Sequence, residues 1–152
     1  HMNLQPTAGE FGEDRVHRLP VRVYYEDTDF SGVVYHARYL HFFERGRTDS
    51  LRCLGVHHSE LAQADDPLAF AVRRMSIEFA LAARVDDALI VETLFRPQKG
   101  ARLMIEQRLV RGKTLIASAD VQAVCISLDG AVKRPPRAMA GKWENFVIPL
   151  DS

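Results

Sequence analysis

The chain has 152 residues, with 20 basic and 20 acidic side chains and a formal net charge of zero. A chain of that length suits one domain that buries about two thirds of the surface its unfolded state exposes. Balanced charge leaves no global footprint for DNA, RNA or an anionic membrane, and no apolar run approaches the roughly 18 to 20 residues that span a bilayer. The two cysteines, Cys53 and Cys125, form no CxxC pair, and no secretory h-region stands near the N-terminus. A reducing, cytoplasmic compartment is therefore expected, with both thiols as buried hydrophobes.

His1-Met2 looks like an expression-tag remnant, and Asn3 to Asp14, mostly polar with two Gly and one Pro, reads as a disordered leader. Residues 1–14 are thus set aside, and a single domain is expected over 15–150. Leu19, Val21, Val23 and Tyr25 alternate with polar neighbours, which predicts a strand from Leu19 to Tyr25. From about Tyr35 to Leu54 the period changes: Leu40, Phe43, Leu51 and Leu54 recur at three- and four-residue intervals, and Gly55 stands where a helix C-cap glycine belongs. Gly46 lies inside this one long helix at a cost of about 1 kcal/mol relative to alanine, which close packing against a sheet would offset.

A short helical turn follows around His58 to Ala64, ended by Asp65-Asp66-Pro67. Ala69 to Ala80 is mostly extended, with its alternation slipping near Arg73-Arg74, as at a bulge. Leu89 to Arg96 is a strand broken by Pro97, with Lys99-Gly100 as a hairpin turn. Leu103 to Leu109 alternates cleanly, Arg111-Gly112-Lys113 turns, and Thr114 to Ser127 is the last long strand before the Asp129-Gly130 turn. Arg134-Pro135-Pro136-Arg137 halts regular pairing, and a tail with Trp143 follows. One strand, one long helix and four hairpin-linked strands predict an α+β fold, an antiparallel five-stranded sheet packed on one helix.

The stretch YYEDTDFSGVVYHARYLHFFERGRTDSL, from Tyr24 to Leu51, carries the chemistry. Asp27-Thr28-Asp29-Phe30-Ser31-Gly32 mimics the first half of an EF-hand loop, but position twelve falls on the cation Arg38 where calcium needs a bidentate Glu. A transition-metal site from Asp27, Asp29, His36, His41 and Glu44 matches no usual ligand spacing. DxDxS after a strand also has the spelling of magnesium-dependent aspartyl phosphatases, whose parallel, helix-alternating sheet conflicts with the run of hairpins here. The third reading places a carboxylate on the loop before a helix. The helix N-terminus polarises a thioester carbonyl and stabilises its oxyanion, while the carboxylate attacks or activates water.

This stretch, together with Asp86-Asp87-Ala88-Leu89, resembles the signature of the hotdog-fold 4-hydroxybenzoyl-CoA thioesterase family, above all its Tol-Pal-associated acyl-CoA thioesterase subgroup. The likeness runs from about Leu19 to Arg137. It implies a hotdog fold, hydrolysis of acyl-CoA or acyl-carrier thioesters, no cofactor and no metal, and a homodimer or homotetramer with sites at the shared interface. It places the catalytic carboxylate on Asp29 and the carbonyl-polarising helix start on Tyr35 and His36. Gly32 lets the backbone approach the ligand, and Phe30 shapes the acyl pocket. The subgroup usually has alanine where Gly46 stands, proline at Ala82 and small residues at Phe30-Ser31.

Asp27 reads as a structural loop acid. Glu44 is the alternative carboxylate, because another branch of hotdog thioesterases uses a helix Glu; its competing reading is a pair with a neighbouring arginine. Arg73 and Arg74, and with them Lys133, Arg134 and Arg137, could contact coenzyme A phosphates. His57-His58 reads as loop. A non-catalytic acyl-binding scaffold, and a magnesium-dependent phosphatase, are the other readings this spelling allows.

Overall fold

The computed structural model describes residues 2, 4, 6 and 8–151. Its strands are β1 (Glu10–Phe11), β2 (His17–Arg22), β3 (Leu68–Phe79), β4 (Ala88–Lys99), β5 (Arg102–Arg111), β6 (Thr114–Ser127) and β7 (Val132–Lys133); its helices are α1 (His36–Cys53), α2 (His58–Gln63) and α3 (Arg137–Ala140). All strand pairs are antiparallel and join in one sheet of order β1-β2-β4-β5-β6-β3, with β7 added alongside β6. The fold is α+β, as expected, but the sheet has seven strands rather than five. The extra two are two-residue strands at its margins, too short to register as alternation.

One of them corrects the reading of the leader. Glu10 and Phe11 pair with Arg18 and His17, and Asp14 in the connecting turn accepts two bonds from Arg18, so β1 belongs to the sheet and residues 12–15 to the hairpin that joins it to β2. Of the supposed tag pair, His1 lies outside the described residues. The first long strand ends earlier than the alternation suggested: Tyr25 opens a 3-10 turn, Tyr25–Asp27. β4 runs through Pro97, which occupies a register shift between Arg96 and Lys99; a bulge tolerates a residue that cannot donate to the ladder. The expected irregularity at Arg73-Arg74 is present as a register shift between Val72 and Arg74.

α1 buries Tyr39, Phe42, Phe43, Gly46, Ser50 and Leu51, a stripe at three- and four-residue spacing. These face the inward residues of β4 (Leu89, Val91, Thr93, Phe95), β5 (Leu103, Ile105, Gln107, Leu109) and β6 (Ala117, Ala119, Val121). The helix ends in a Schellman motif: Val56 N–H bonds Leu51 O at 2.8 Å and Gly55 N–H bonds Arg52 O at 2.9 Å, with Gly55 at φ +82°. Buried Val56 supplies the apolar contact that such caps carry.

Gly46 is where helix and sheet come nearest. A Cβ there would lie 2.5 Å from Val91 Cγ1, 2.9 Å from Thr93 Oγ1 and 3.0 Å from Gln107 Nε2. Gln107, 1 % exposed, donates to Phe43 O at 2.9 Å and Thr93 Oγ1 at 3.0 Å and accepts from Arg47 at 3.0 Å. A glycine that weakens the helix thus allows a buried polar strap to hold it. Gly46→Ala adds about 1 kcal/mol of helix propensity but overpacks stiff neighbours at about 1 to 3 kcal/mol. Thermal melts should show a net loss of stability, and in a Val91→Ala background the same change should become neutral or stabilising.

Candidate active site

Tyr24 to Tyr35 forms a tight hairpin that leads into α1. Thr28 bridges Val34, Asp29 N–H bonds Val33 O at 2.9 Å, and Gly32 N–H closes the tip on Asp29 O at 3.0 Å. Gly32 sits at φ +83°, a conformation that favours glycine. The segment before β4 clamps this hairpin: Val34 N–H bonds Ala83 O, Val85 N–H bonds Gly32 O, and Val23 exchanges bonds with Asp86 and Asp87. Asp87 Oδ2 accepts from Arg84 N–H at 2.9 Å and from Arg111 at 2.8 Å. The Asp86-Asp87-Ala88-Leu89 element is therefore the bracket that carries the acid loop. Tyr39 on α1 fixes the same bracket, its hydroxyl accepting Ala83 N–H at 3.1 Å.

The two acids of the DTD segment have opposite surroundings. Asp27 is 4 % exposed; its Oδ1 is 2.5 Å from Arg38 Nε and its Oδ2 accepts Tyr24 N–H at 2.8 Å. Both oxygens are committed, and Arg38, the residue that excludes an EF-hand, is the cation that neutralises it. Asp29 is exposed at the tip. Its Oδ1 accepts from Ser31 Oγ at 2.5 Å, Ser31 N–H at 2.9 Å and Val33 N–H at 3.3 Å. The Ser31 hydroxyl is the largest influence on the Asp29 carboxyl and lowers its pKa, and the two N–H groups act in the same direction.

Tyr35 is the N-cap of α1, and no side chain caps the helix. The first N–H groups of an 18-residue helix are thus free of a side-chain acceptor, which leaves a polarising terminus next to the hairpin. His36, the first helical residue, is exposed and stacks on Phe79 at the end of β3, ring centroids 4.4 Å apart. Phe30 is 94 % exposed, and Tyr24, Tyr25, Tyr35, Phe79 and Leu81 are also exposed around this end of the molecule.

Residues 23–143 match the family model of the Thioesterase-like superfamily. The chain belongs to this superfamily. It is 50 % identical over 110 residues to the acyl-CoA thioesterase YbgC of Haemophilus influenzae, covering 72 % of this chain and 80 % of that protein. To the acyl-CoA thioester hydrolase YbgC of Escherichia coli it is 45 % identical over 123 residues, 80 % of this chain and 88 % of that one. The crystal structure of a probable thioesterase from Bartonella henselae superposes with a TM-score of 0.77 at 42 % identity, over 80 % of this chain and 99 % of that chain. These relatives agree with the Tol-Pal-associated hotdog subgroup that the signature resembles.

As a thioesterase-superfamily chain it brings Asp29, Phe30, Gly32, Tyr35 and His36 together at one end of α1. Arg73 and Arg74 are elsewhere. They stand five and six residues from Phe79 on β3, about 17 to 20 Å along the strand, beside a separate groove of about 560 Å³ between α1 and the sheet. Glu44, Arg47, His58, Phe70 and Val72 line that groove. Among the described residues Glu44 has no ion pair within 4.0 Å, contrary to the arginine pairing that its spacing suggested. His58 opens α2 and meets the Phe70 ring at 5.7 Å. Burial lowers its pKa while the Glu44 carboxylate raises it. Sequence reading passed over His58, since nothing local ties residue 58 to residues 44 and 70.

The metal candidates Asp27, Asp29, His36, His41 and Glu44 do not form a ligand cluster; among the described residues one trio does, His17, Asp49 and Cys53. Cys125 is buried as expected, but Cys53 is exposed.

If ionised Asp29 is the working form, activity falls as pH drops through its depressed pKa. Ser31→Ala removes the largest lowering influence and returns that pKa toward the ordinary carboxylate value. The acid limb of the kcat/KM profile should therefore move to higher pH in Ser31→Ala; an unmoved limb would assign it to another group.

Proposed function

We propose that this chain hydrolyses acyl-CoA thioesters to the free acid and the thiol, with Asp29 as the reacting carboxylate. The observation that carries the reading is the placement of an exposed, ionised acid on a clamped hairpin that runs directly into an uncapped helix terminus. The thioester carbonyl oxygen lies at the N–H groups that open α1. As Asp29, or a water that it deprotonates, attacks the carbonyl carbon, charge develops on that oxygen and those N–H groups stabilise it. The tetrahedral intermediate collapses with cleavage of the C–S bond, and the thiolate leaves and is protonated. In the nucleophilic route water then cleaves the acyl–Asp29 anhydride. No step calls for a cofactor. Gly32 gives the backbone room at the ligand, Phe30 bounds the acyl group, and acyl-carrier protein thioesters share the same reacting bond. The domain includes β1 and so begins before residue 15, at about Glu10, and it works in the cytoplasm. No helix of the described residues is long and apolar enough to cross a membrane.

Glu44 supports a second reading, since among the described residues it has no ion pair and it lines a groove with His58. Four variants separate the two. Asp29→Asn keeps shape and loses basicity, so kcat should fall on the order of 10²-fold or more with little change in KM. Asp27→Asn should lower the melting temperature more than the rate. Glu44→Gln should be mild. His36→Ala leaves turnover near normal if only its backbone acts, and changes the pH profile if the imidazole moves a proton. Abolition by Glu44→Gln with retention in Asp29→Asn would move the reacting acid to the helix.

The enzyme acts as a homodimer or as a homotetramer made of two dimers. β3 ends the sheet with one side unpaired, and exposed Val72, Phe79 and Leu81 lie on it or just beyond it. A second copy across this edge covers those side chains and brings Arg73 and Arg74 within reach of coenzyme A phosphates bound at the partner's site. Sedimentation at micromolar concentration should find no substantial monomer, and a fully active monomer would remove the interface from the mechanism.

A further inference from the structure

The far end of α1 carries a cluster that thioester hydrolysis does not use. Asp49 and Cys53 stand four residues apart on one face of the last turns of α1, and His17 reaches them from β2. His17 Nε2 is 2.8 Å from Asp49 Oδ2, and Cys53 Sγ is 3.7 Å from each of those atoms. We infer that His17, Asp49 and Cys53 form a binding site for a divalent ion of the zinc class, with one coordination position open to water.

The spacing fits such an ion. Tetrahedral zinc, with ligand distances of about 2.0 to 2.1 Å to nitrogen and oxygen and about 2.3 Å to sulfur, separates its ligand atoms by about 3.3 to 3.6 Å. Both sulfur separations already lie close to that range. Only the His17–Asp49 pair is tighter, because a shared proton holds it there. An ion that replaces this proton opens the pair by about 0.5 Å. A mixed N, O and S donor set suits zinc or cobalt, whereas calcium and magnesium take oxygen ligands.

The surroundings are built to hold the ligands. His17 is 0 % exposed, its ring set edge-on against Phe11 at 5.1 Å. Its Nδ1 has no partner among the described residues, so every polar tie of this buried ring passes through Nε2, the atom that faces the cluster. Gly9 closes one side: its N–H bonds Asp49 Oδ2 at 2.8 Å and its carbonyl is 3.4 Å from Cys53 Sγ. A Cβ on Gly9 would lie 2.9 Å from His17 Nε2 and 2.3 Å from Arg18 O, so only glycine fits over the site. The other side is open through exposed Cys53, which gives an ion its path in.

The ion would tie the N-terminal β1–β2 hairpin to the C-terminal end of α1. Thirteen residues of helix, about 20 Å, separate Asp49 from His36, so its contribution is to stability and not to turnover. The test uses the full chain, stripped of metal and titrated with cobalt(II) and zinc. One equivalent of cobalt should produce a thiolate-to-cobalt charge-transfer band that zinc abolishes. Zinc at a hundredfold excess over Kd should raise the melting temperature by about 5 °C or more. Cys53→Ser and Cys53→Ala, both at an exposed position, should lose the band and most of the shift; chelation should lower the melting temperature and leave hydrolysis unchanged. Absence of the band in the unmodified chain, or its survival in either Cys53 variant, would overturn the assignment.

Discussion

The distance between α1 and the sheet is the constraint on which the remaining geometry depends. A helix carrying a side chain at residue 46 would stand off from Val91, Thr93 and Gln107, and Gln107 could no longer reach Phe43 O. That bond matters because Gln107 is buried with its amide fully engaged. Leaving such a group unsatisfied costs about 1 to 3 kcal/mol. Gly46 and Gln107 therefore act as one device: absence of a side chain sets the approach, and a polar side chain from the sheet locks it. With the middle of the helix fixed, its two ends are fixed as well, and each end receives a loop carrying ionisable groups.

At the N-terminal end the consequence is a division of labour between two acids of identical spelling. Asp27 is turned inward to Arg38 and to the backbone of Tyr24, so it braces the hairpin against the first turn of the helix. Asp29, two residues on, points to solvent and is steadied only by its own turn. An acid with one oxygen in a largely buried ion pair and the other on a backbone N–H cannot take up a proton or attack a carbonyl without leaving an uncompensated cation. The exposed acid has no such penalty. The environment, and not the DTD spelling, distinguishes the buried brace from the exposed acid.

Much of this was legible in the chain because it is written locally. The helix from residue 36 to 53 follows from apolar spacing and from the glycine at its end, which adopts the expected left-handed conformation. Thr114–Ser127 and the slip at Arg73 follow from alternation and its failure. Gly46 could be read as a packing residue because a helix glycine needs a reason. The misses share a different property. β1 is two residues long and exists only through pairing with β2. Pro97 sits in β4 because a bulge there removes the need for its missing N–H. Cys53 shows the same limit, since its spacing along the helix does not reveal that it faces Asp49, His17 and Gly9 rather than the core. Glu44 and His58 come together only because α2 folds back beside Phe70. For Cys53, Glu44 and His58 the deciding partner is remote in sequence, whereas for β1 and Pro97 it is near but the register of pairing leaves no mark in the residue pattern.

The residues proposed for the site divide between two places on one chain. Asp29, Tyr35 and His36 lie where α1 begins, next to the end of β3 through the His36–Phe79 stack. Arg73 and Arg74 lie at the middle of β3, at its bulge. An antiparallel pairing of β3 with its own copy about a two-fold axis near the strand's middle would place each chain's arginines beside the other's strand centre. A bulge at that position twists the strand locally and interrupts the alternation that would send two adjacent side chains to opposite faces. An edge strand that is long and exposed at apolar Val72 and Phe79 is poorly suited to face water alone, and the two cations at its centre, which have no ion pair among the described residues, call for an anion beside them rather than for a second pair of arginines.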